Sequence, residues 1–205
     1  MPILSFSSPT TILFIRHGET FWNQENRVQG WADIALNQQG ILQAQGLSEF
    51  LANQKNYQIA AIYSSDLIRA YETAHMTAEK LNLNVKTSKN FREICWGDAE
   101  GISMEEFAKI HGKPHTHFVG WDHSEIPGAE SFNQVLSRVH SELETIVKNH
   151  AGQTIAIFSH GRTIKLLAHH ATNGQEMPYV KNCEVLKFTY DPVENPPLKF
   201  HGLVD

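Results

Sequence analysis

The chain has 205 residues, of which 41% are apolar and 19% charged, with a formal net charge of −5 and a pI near 6.2. That length suits one domain with a sizeable core, and the composition excludes wholesale disorder. The acidic balance excludes a global basic field for holding nucleic acid, so an anionic ligand needs a locally positive pocket.

The opening segment MPILSFSSPT carries no positive n-region. The apolar run after it, Ile12 to Ile15, is too short for a secretion signal or a membrane span. A cytoplasmic protein with no membrane partner is the expectation. Cys95 and Cys183 lie far apart in no metal-like pattern, so they read as two free thiols of a reducing compartment.

Thr11 to Ile15 is a continuous apolar run that reads as a buried strand. Arg16-His17-Gly18 follows it directly. A helix begins near Asn37, with Ile41, Ala44, Leu47, Phe50 and Leu51 on one face. Ile59 to Tyr63 is a second buried strand, followed by Ser64-Ser65-Asp66. Asp66 is a good N-cap for a helix running to about Leu81, and Val85 sits in another short strand. Ser103 to His111 opens with the Ser-x-x-Glu pattern of a capping box.

Residues 112–128 are rich in His, Pro, Gly and Trp and read as an irregular excursion over the site, a lid within about 94–130. The clearest helix runs from Ser131 to Asn149, with an apolar stripe of Phe132, Val135, Leu136, Val139, Leu143, Ile146 and Val147. Thr154 to Phe158 is a third buried strand. Ser159-His160-Gly161 follows it and opens a short helix to His170.

No repeat or low-complexity linker divides the chain, so residues 1–205 read as one domain. Buried strands alternating with amphipathic helices imply an α/β fold with a mostly parallel sheet. In such sheets ligands gather at the carboxyl ends of the strands. Two histidines, His17 and His160, each followed by glycine at a separate strand end, therefore face one crevice.

Cleaving a phosphate monoester without a metal needs cations on the phosphoryl oxygens, a nucleophile, and an acid for the leaving oxygen. Arg16 and Arg69 supply charged bidentate forks. His17 serves as nucleophile if one ring nitrogen is unprotonated and the other is held by a hydrogen bond. His160 can donate to the transferring group, and Glu93 can be the acid.

The same positions carry a resemblance. Arg16-His17-Gly18-Glu19-Thr20 with Asn23, and then Gln29 to Asp33 with Leu36-Asn37 and Gly40, are similar to the signature of the histidine phosphatase superfamily, the phosphoglycerate mutase-like proteins. Ser64 to Ala74 resembles that family's phosphate-binding arginine helix. Phe91-Arg92-Glu93-Ile94-Cys95-Trp96-Gly97 with Glu100-Gly101 resembles its acid-bearing loop. Pro127 to Ser131 and Ser159 to Arg162 complete the series, in the family's order from residue 11 to about 170.

The resemblance implies a three-layer α/β/α sandwich and a phosphoric monoester hydrolase that needs no cofactor and no metal. It implies that His17 takes the phosphoryl group and that Glu93 is general acid, then base. Arg16, Arg69 and His160 would complete the phosphate pocket, with contacts from Asn23 and the backbone near Gly161. The chain departs from the family at Phe91 and Ala99, which bear on packing and pocket shape rather than on the chemical step.

The expected partner is a small-molecule phosphate ester, and a homodimer is compatible with the chain. The alternative function is a phosphoglycerate mutase, which shares the phosphohistidine but needs more fixed positive charge for a second acidic group. Between Ile94 and Ser131 the only fixed cations are Lys109 and Lys113, which favours release to water. A non-catalytic phospholigand-binding protein is a third reading, disfavoured because the whole constellation is present.

His111, His115, His117 and His123 raise zinc as an idea, but the stretch is a polar loop with no Cys or acidic ligand pattern and no helical His-x-x-x-His spacing. His169 and His170 read as cappers of helix carbonyls or solvated groups. The four tryptophans, Trp22, Trp31, Trp96 and Trp121, read as core or packing residues before binding platforms, with Trp96 and Trp121, near the lid, the better placed of the four as substrate neighbours.

Overall fold

Alternate residues along the central strands go to opposite faces, and both faces are apolar. In β1 (Thr10–Arg16), Ile12 and Phe14 pack on one side while Leu13 and Ile15 pack on the other. A strand apolar on both faces needs a helical layer above and below it. The computed structural model, which describes residues 8–112, 125–175 and 179–204, supplies both layers.

β1 is followed by a short turn of helix, α1 (Phe21–Gln24), and by α2 (Gln38–Asn53). Then come β2 (Ile59–Ser65), α3 (Ile68–Leu81), β3 (Val85–Ser88), α4 (Met104–His111), α5 (Phe132–Val147), β4 (Thr154–Ser159), α6 (Gly161–Ala171), β5 (Val185–Tyr190) and β6 (Leu198–Leu203). Among the described residues the strands form one sheet in the order β3-β2-β4-β1-β5-β6. β3, β2, β4 and β1 run parallel, whereas β5 is antiparallel to both β1 and β6.

Leu47 and Leu51 of α2 and Ala74 and Ala78 of α3 cover the face carrying Leu13, Ile62, Ala156 and Phe158. Val139 and Leu143 of α5 and Ile164, Leu167 and Ala168 of α6 cover the face carrying Ile12, Phe14, Ile155 and Ile157. The fold is thus an α/β/α sandwich. Phe14 is fully buried and meets the rings of Phe188 and Phe91 edge-on, at 5.3 Å and 6.5 Å between centroids. Truncating a core phenylalanine of this kind costs about 3–5 kcal/mol.

The elements start where local chemistry lets them. Asn37 accepts the Gly40 N–H at 2.8 Å to open α2, and Ser131 and Gln134 form a reciprocal capping box for α5. Ser103 accepts the Glu106 N–H at the start of α4. α3 departs from expectation. Asp66 does not cap it; its carboxylate is held bidentately by Arg92 at 2.6 and 2.7 Å. The capping oxygen comes from Asp33, which accepts the Ile68 N–H at 2.7 Å from a distant loop. An ion pair with a planar guanidinium outcompeted a single N–H.

β5 and β6 carry no apolar run comparable to those of the central strands. Their burial alternates because they lie toward one edge of the sheet. No helix among the described residues is long and apolar enough to cross a membrane. Cys95 and Cys183 are both free thiols.

The order of the strands creates the crevice. β1 and β4 are parallel neighbours with Arg16 paired to Ser159. The chain leaving β1 passes to the α2 layer, and the chain leaving β4 passes into α6 on the opposite layer. Such a divergence leaves a gap beyond the strand ends, where backbone N–H groups face outward.

Candidate active site

His17 and His160 emerge side by side at that gap. The His17 N–H donates to the Ser159 carbonyl at 3.1 Å, continuing the β1–β4 ladder by one bond. Their rings lie 5.2 Å apart between centroids, edge to face at 61°. Both residues are buried.

The partners of His17 fix its tautomer. Nδ1 lies 2.7 Å from the Gly18 carbonyl oxygen, which can only accept, so Nδ1 carries the proton. Nε2 receives the Nε–H of Arg69 at 3.3 Å, so Nε2 presents its lone pair. Burial, then the charges of Arg69 and Arg16, hold the ring well below the ordinary histidine value of 6.5. A neutral imidazole with a lone pair on Nε2 is a nucleophile ready for use.

Arg69 is fully buried on the first turn of α3. Its NH1 donates to the Ala32 carbonyl at 2.8 Å and its NH2 to the Gly30 carbonyl at 2.7 Å. Burial pulls its pKa down to about 10, and the charges of Glu93, Asp33 and Glu100 oppose that fall. One turn later Thr73 donates to the Arg69 carbonyl at 2.7 Å and accepts the Gly18 N–H at 3.0 Å. α3 thus grips both the arginine and the turn after His17.

Arg16 ends β1 and is nearly buried. Its NH1 donates to the Val180 carbonyl at 2.6 Å and to the Tyr179 hydroxyl at 2.5 Å, and its guanidinium lies 5.0 Å from the centre of the Tyr179 ring. Gly161 packs against it: a Cβ there would sit 3.2 Å from both Cδ and Nε of Arg16. Gly161 is what lets the start of α6 and the arginine share the same space.

His160 is completely buried, and no group among the described residues hydrogen-bonds either of its ring nitrogens. The same holds for Nε of Arg16. A buried polar atom without a partner costs roughly 1–3 kcal/mol. Three such atoms beside His17 mark a site built to close on something polar. Burial, then Arg69 and His17, keep His160 well below 6.5 and therefore neutral, with one N–H to give.

Glu93 is buried at the N-terminus of α6. Its Oε1 accepts the N–H groups of Ile94 at 3.0 Å and Thr163 at 2.9 Å, and lies 3.0 Å from the Thr163 hydroxyl. Its Oε2 accepts the Arg162 N–H at 3.1 Å. The carboxylate uses first-turn N–H groups that a helix leaves unmatched, and the helix dipole favours it there.

The loop behind Glu93 is held by Arg138 of α5. The NH1 of Arg138 donates to the carbonyls of Asn90 and Arg92 at 2.7 and 2.9 Å, and its NH2 donates to the Glu93 carbonyl at 2.9 Å. Its Nε and NH2 form a two-point pair with Glu130, both bonds 2.9 Å. All five guanidinium N–H groups are used. Trp31 adds its Nε1–H to the Glu93 carbonyl at 2.8 Å.

Asn23 lies next to the cluster. Its Oδ1 accepts the Thr20 N–H at 3.2 Å in a capping box that opens α1, and Asn182 reaches both that oxygen, at 3.4 Å, and the His17 carbonyl, at 2.9 Å. The expected site residues Arg16, His17, Asn23, Arg69, Glu93, His160 and Gly161 therefore come together from β1, α1, α3, the loop before α4, and the β4–α6 turn.

Trp96 is 4% exposed and packs its ring edge-on against Phe107, as a core residue does. Trp31, expected as packing, is 39% exposed, touches the Glu93 backbone and carries the Arg92 guanidinium 5.0 Å from its ring centre. Trp121, His115, His117 and His123 lie outside the described residues, as does most of the expected lid. His169 does reach a carbonyl beyond its helix, that of Gln175 at 3.1 Å. Among the described residues no group of three or more His, Cys, Asp or Glu side chains is arranged to hold a metal ion.

Thr73, Thr163, Arg138, Asn182 and Glu100 were not foreseen as site residues. Their side chains act on backbone groups of the loops, and no residue spacing announces such contacts.

A model of the histidine phosphatase superfamily (branch 1) matches residues 12–199. The chain belongs to this superfamily. Phosphoglycerate mutase-like protein 4 of Arabidopsis thaliana is 38% identical over 78% of this chain and 70% of its own length. A metal-independent phosphoserine phosphatase of the same plant is 32% identical over 87% of this chain and 76% of its own. The crystal structure of a phosphoglycerate mutase from Bacillus anthracis str. Sterne superposes with a TM-score of 0.81, at 25% identity, over 96% of this chain and 93% of that one. The superfamily thus contains phosphatases and mutases close to this chain on the same fold.

Proposed function

We propose that the chain hydrolyses small phosphate monoesters through a phosphohistidine on Nε2 of His17. The single observation that carries this is the pair of bonds on the His17 ring, Nδ1–H to the Gly18 carbonyl and Arg69 Nε–H to Nε2. Together they present one lone pair, and they put a phosphate-binding cation beside it.

In the first step Nε2 attacks phosphorus in line, an N–P bond forms and the ester P–O bond breaks. The leaving oxygen takes a proton from Glu93. Oε1 of Glu93 is already engaged by three groups and Oε2 by one, so Oε2 is the oxygen that carries this proton. The ring becomes a phosphoimidazolium, steadied through Nδ1–H by the Gly18 carbonyl. In the second step water attacks phosphorus, Glu93 takes its proton, and the N–P bond breaks to give inorganic phosphate and neutral His17. Arg16, Arg69 and His160 hold the phosphoryl oxygens throughout, with Asn23 and the Gly161 turn adding contacts. Catalysis comes mainly from positioning and charge, and the protein groups supply every step without a metal.

A mutase reading has one structural observation in its favour. Arg162 is half-buried, lies with its guanidinium 5.4 Å from the Trp96 ring centre, and feels the charges of Glu93 and Arg16. A fixed cation near Glu93 is what a second acidic group of a substrate needs. Hydrolysis remains the conclusion because the acid has a ready role with water and the relatives include a metal-independent phosphatase.

The test is a quench experiment. Wild-type protein mixed with a labelled phosphomonoester should yield an acid-labile, base-stable phosphoprotein that decays with release of inorganic phosphate, and His17→Asn should give neither. A stable fold with turnover retained in His17→Asn would overturn the assignment. Isomerisation of 3-phosphoglycerate in the presence of bisphosphoglycerate, faster than phosphate release, would favour the mutase.

A further inference from the structure

Glu100 touches none of the residues that contact substrate in this mechanism, yet its carboxylate is fully committed. Oε1 accepts the Trp31 N–H at 2.8 Å and the Trp96 N–H at 3.1 Å, and Oε2 accepts the Ala32 N–H at 2.8 Å. The approach is so close that residue 30 must be glycine: a Cβ there would lie 2.1 Å from Oε1, and Gly30 has a φ of +56°.

The peptides held by Glu100 belong to the segment that holds Arg69. The Gly30–Trp31 peptide gives its N–H to Glu100 and its carbonyl to Arg69 NH2; the next carbonyl but one, Ala32, takes Arg69 NH1. The same peptide plane is therefore pinned on both edges. Segment 26–28 is also zipped to the backbone after Glu100, by Val28 N–H to the Ile102 carbonyl at 3.0 Å, Gly101 N–H to the Val28 carbonyl at 2.8 Å and Met104 N–H to the Asn26 carbonyl at 2.7 Å. A guanidinium has no rotational freedom left once both terminal nitrogens and Nε have fixed acceptors.

We propose that Glu100 is a positioning residue for the phosphoryl-transfer step: by holding the N–H edges of the 30–32 loop it aims the Gly30 and Ala32 carbonyls at Arg69, and so aims Arg69 Nε at His17 and the phosphoryl group. The proposal rests on the phosphatase reading of the site. It separates Glu93, which exchanges a proton, from Glu100, which never does. Glu100 also adds negative charge that helps keep the buried Arg69 protonated.

Glu100→Gln is the discriminating change. Whichever way the amide sits, its NH2 faces at least one backbone N–H, so one of the three donors loses its acceptor. The expected result is a fall in kcat/KM for p-nitrophenyl phosphate of about 30-fold, in line with a misplacement well under 1 Å, with a matching loss of affinity for inorganic phosphate measured by calorimetry. In an Arg69→Lys background, which lacks the fork, Glu100→Gln should cost less than about threefold in either measurement.

Additive losses in the two backgrounds would overturn the proposal, as would a lowered Tm with phosphate affinity intact. A core variant such as Val139→Ala serves as control and should lower Tm without touching phosphate affinity. If Glu100→Gln melts below the assay temperature, Glu100→Asp, which keeps two oxygens but withdraws them, runs through the same cycle with the same criteria. A wild-type protein that binds no inorganic phosphate and cleaves no ester would overturn the phosphatase reading itself, a different result from additivity.

Discussion

The Nε–H of Arg69 points at Nε2 of His17 across 3.3 Å, and this one contact ties the charge of the pocket to the protonation of the imidazole. A cation so placed cannot coexist with a protonated His17. The ring therefore stays neutral, and so does His160, in the range where free histidines pick up protons.

That neutrality makes stability depend on pH in a definite direction. Both folded values lie well below 6.5, and the unfolded rings titrate near it. As pH falls below that value the unfolded chain binds protons that the folded chain does not. The stabilisation is complete above about pH 6.5 and is lost progressively toward the folded values, each ring contributing a slope of up to about 1.4 kcal/mol per pH unit. Urea unfolding of wild type and of His160→Asn between about pH 4.5 and 7.5 should show a shallower dependence in the variant. Parallel curves would mean that His160 is charged in the folded protein.

Glu93→Gln should slow alkyl phosphates far more than nitrophenyl phosphates in the first step, because a good leaving group needs little protonation. The expected difference is at least about tenfold in kcat/KM. Equal losses on both classes would take Glu93 out of the acid role and leave it as a cap on α6.

Arg138→Met removes five donors at once and leaves Glu130 and three loop carbonyls without them. Breaking such a largely buried pair costs roughly 3 kcal/mol, so Tm should fall by several degrees. The loss of activity should be greatest on poor leaving groups, because the loop that drifts is the one carrying Glu93. A drop in Tm with an unchanged leaving-group profile would show that Arg138 serves the fold alone.

Gly161→Ala places a methyl group 3.2 Å from Cδ and Nε of Arg16. Alanine suits the start of a helix, so Tm should change little. The arginine must shift, and activity should fall on the order of tenfold or more. Melting and kinetics on one preparation would check both halves; full activity would show that Arg16 has slack.

Much of this was legible in the sequence because strong local signals coincide with the chemistry. The apolar runs before His17 and His160 read as buried strands, and glycine after each histidine pointed to close backbone approach. Other features depended on competition between distant groups. Asp66 has the chemistry of a helix cap, but Arg92 is a stronger partner, and the cap passed to Asp33. Arg138 looks like any charged residue on the polar face of an amphipathic helix until the loop it holds is in place. Trp96 is buried because α4 brings Phe107 onto it, a contact between separate parts of the chain. The short strands β5 and β6 lack the apolar runs that betray the central strands.

The position of β4 in the sheet has a consequence for biosynthesis. Among the described residues β1, which carries Arg16 and leads into His17, pairs only with β4 and β5, and both lie far downstream. A nascent chain exposes the apolar strand Thr10–Arg16 with neither neighbour yet made, and it must wait until residue 159 has left the ribosome before the first ladder on β1 can close. Contacts so distant in sequence form slowly, and unpaired strands of this kind attract other chains. His17 is translated well before the strands that flank β1, so the cluster around it can assemble only after β4 has emerged.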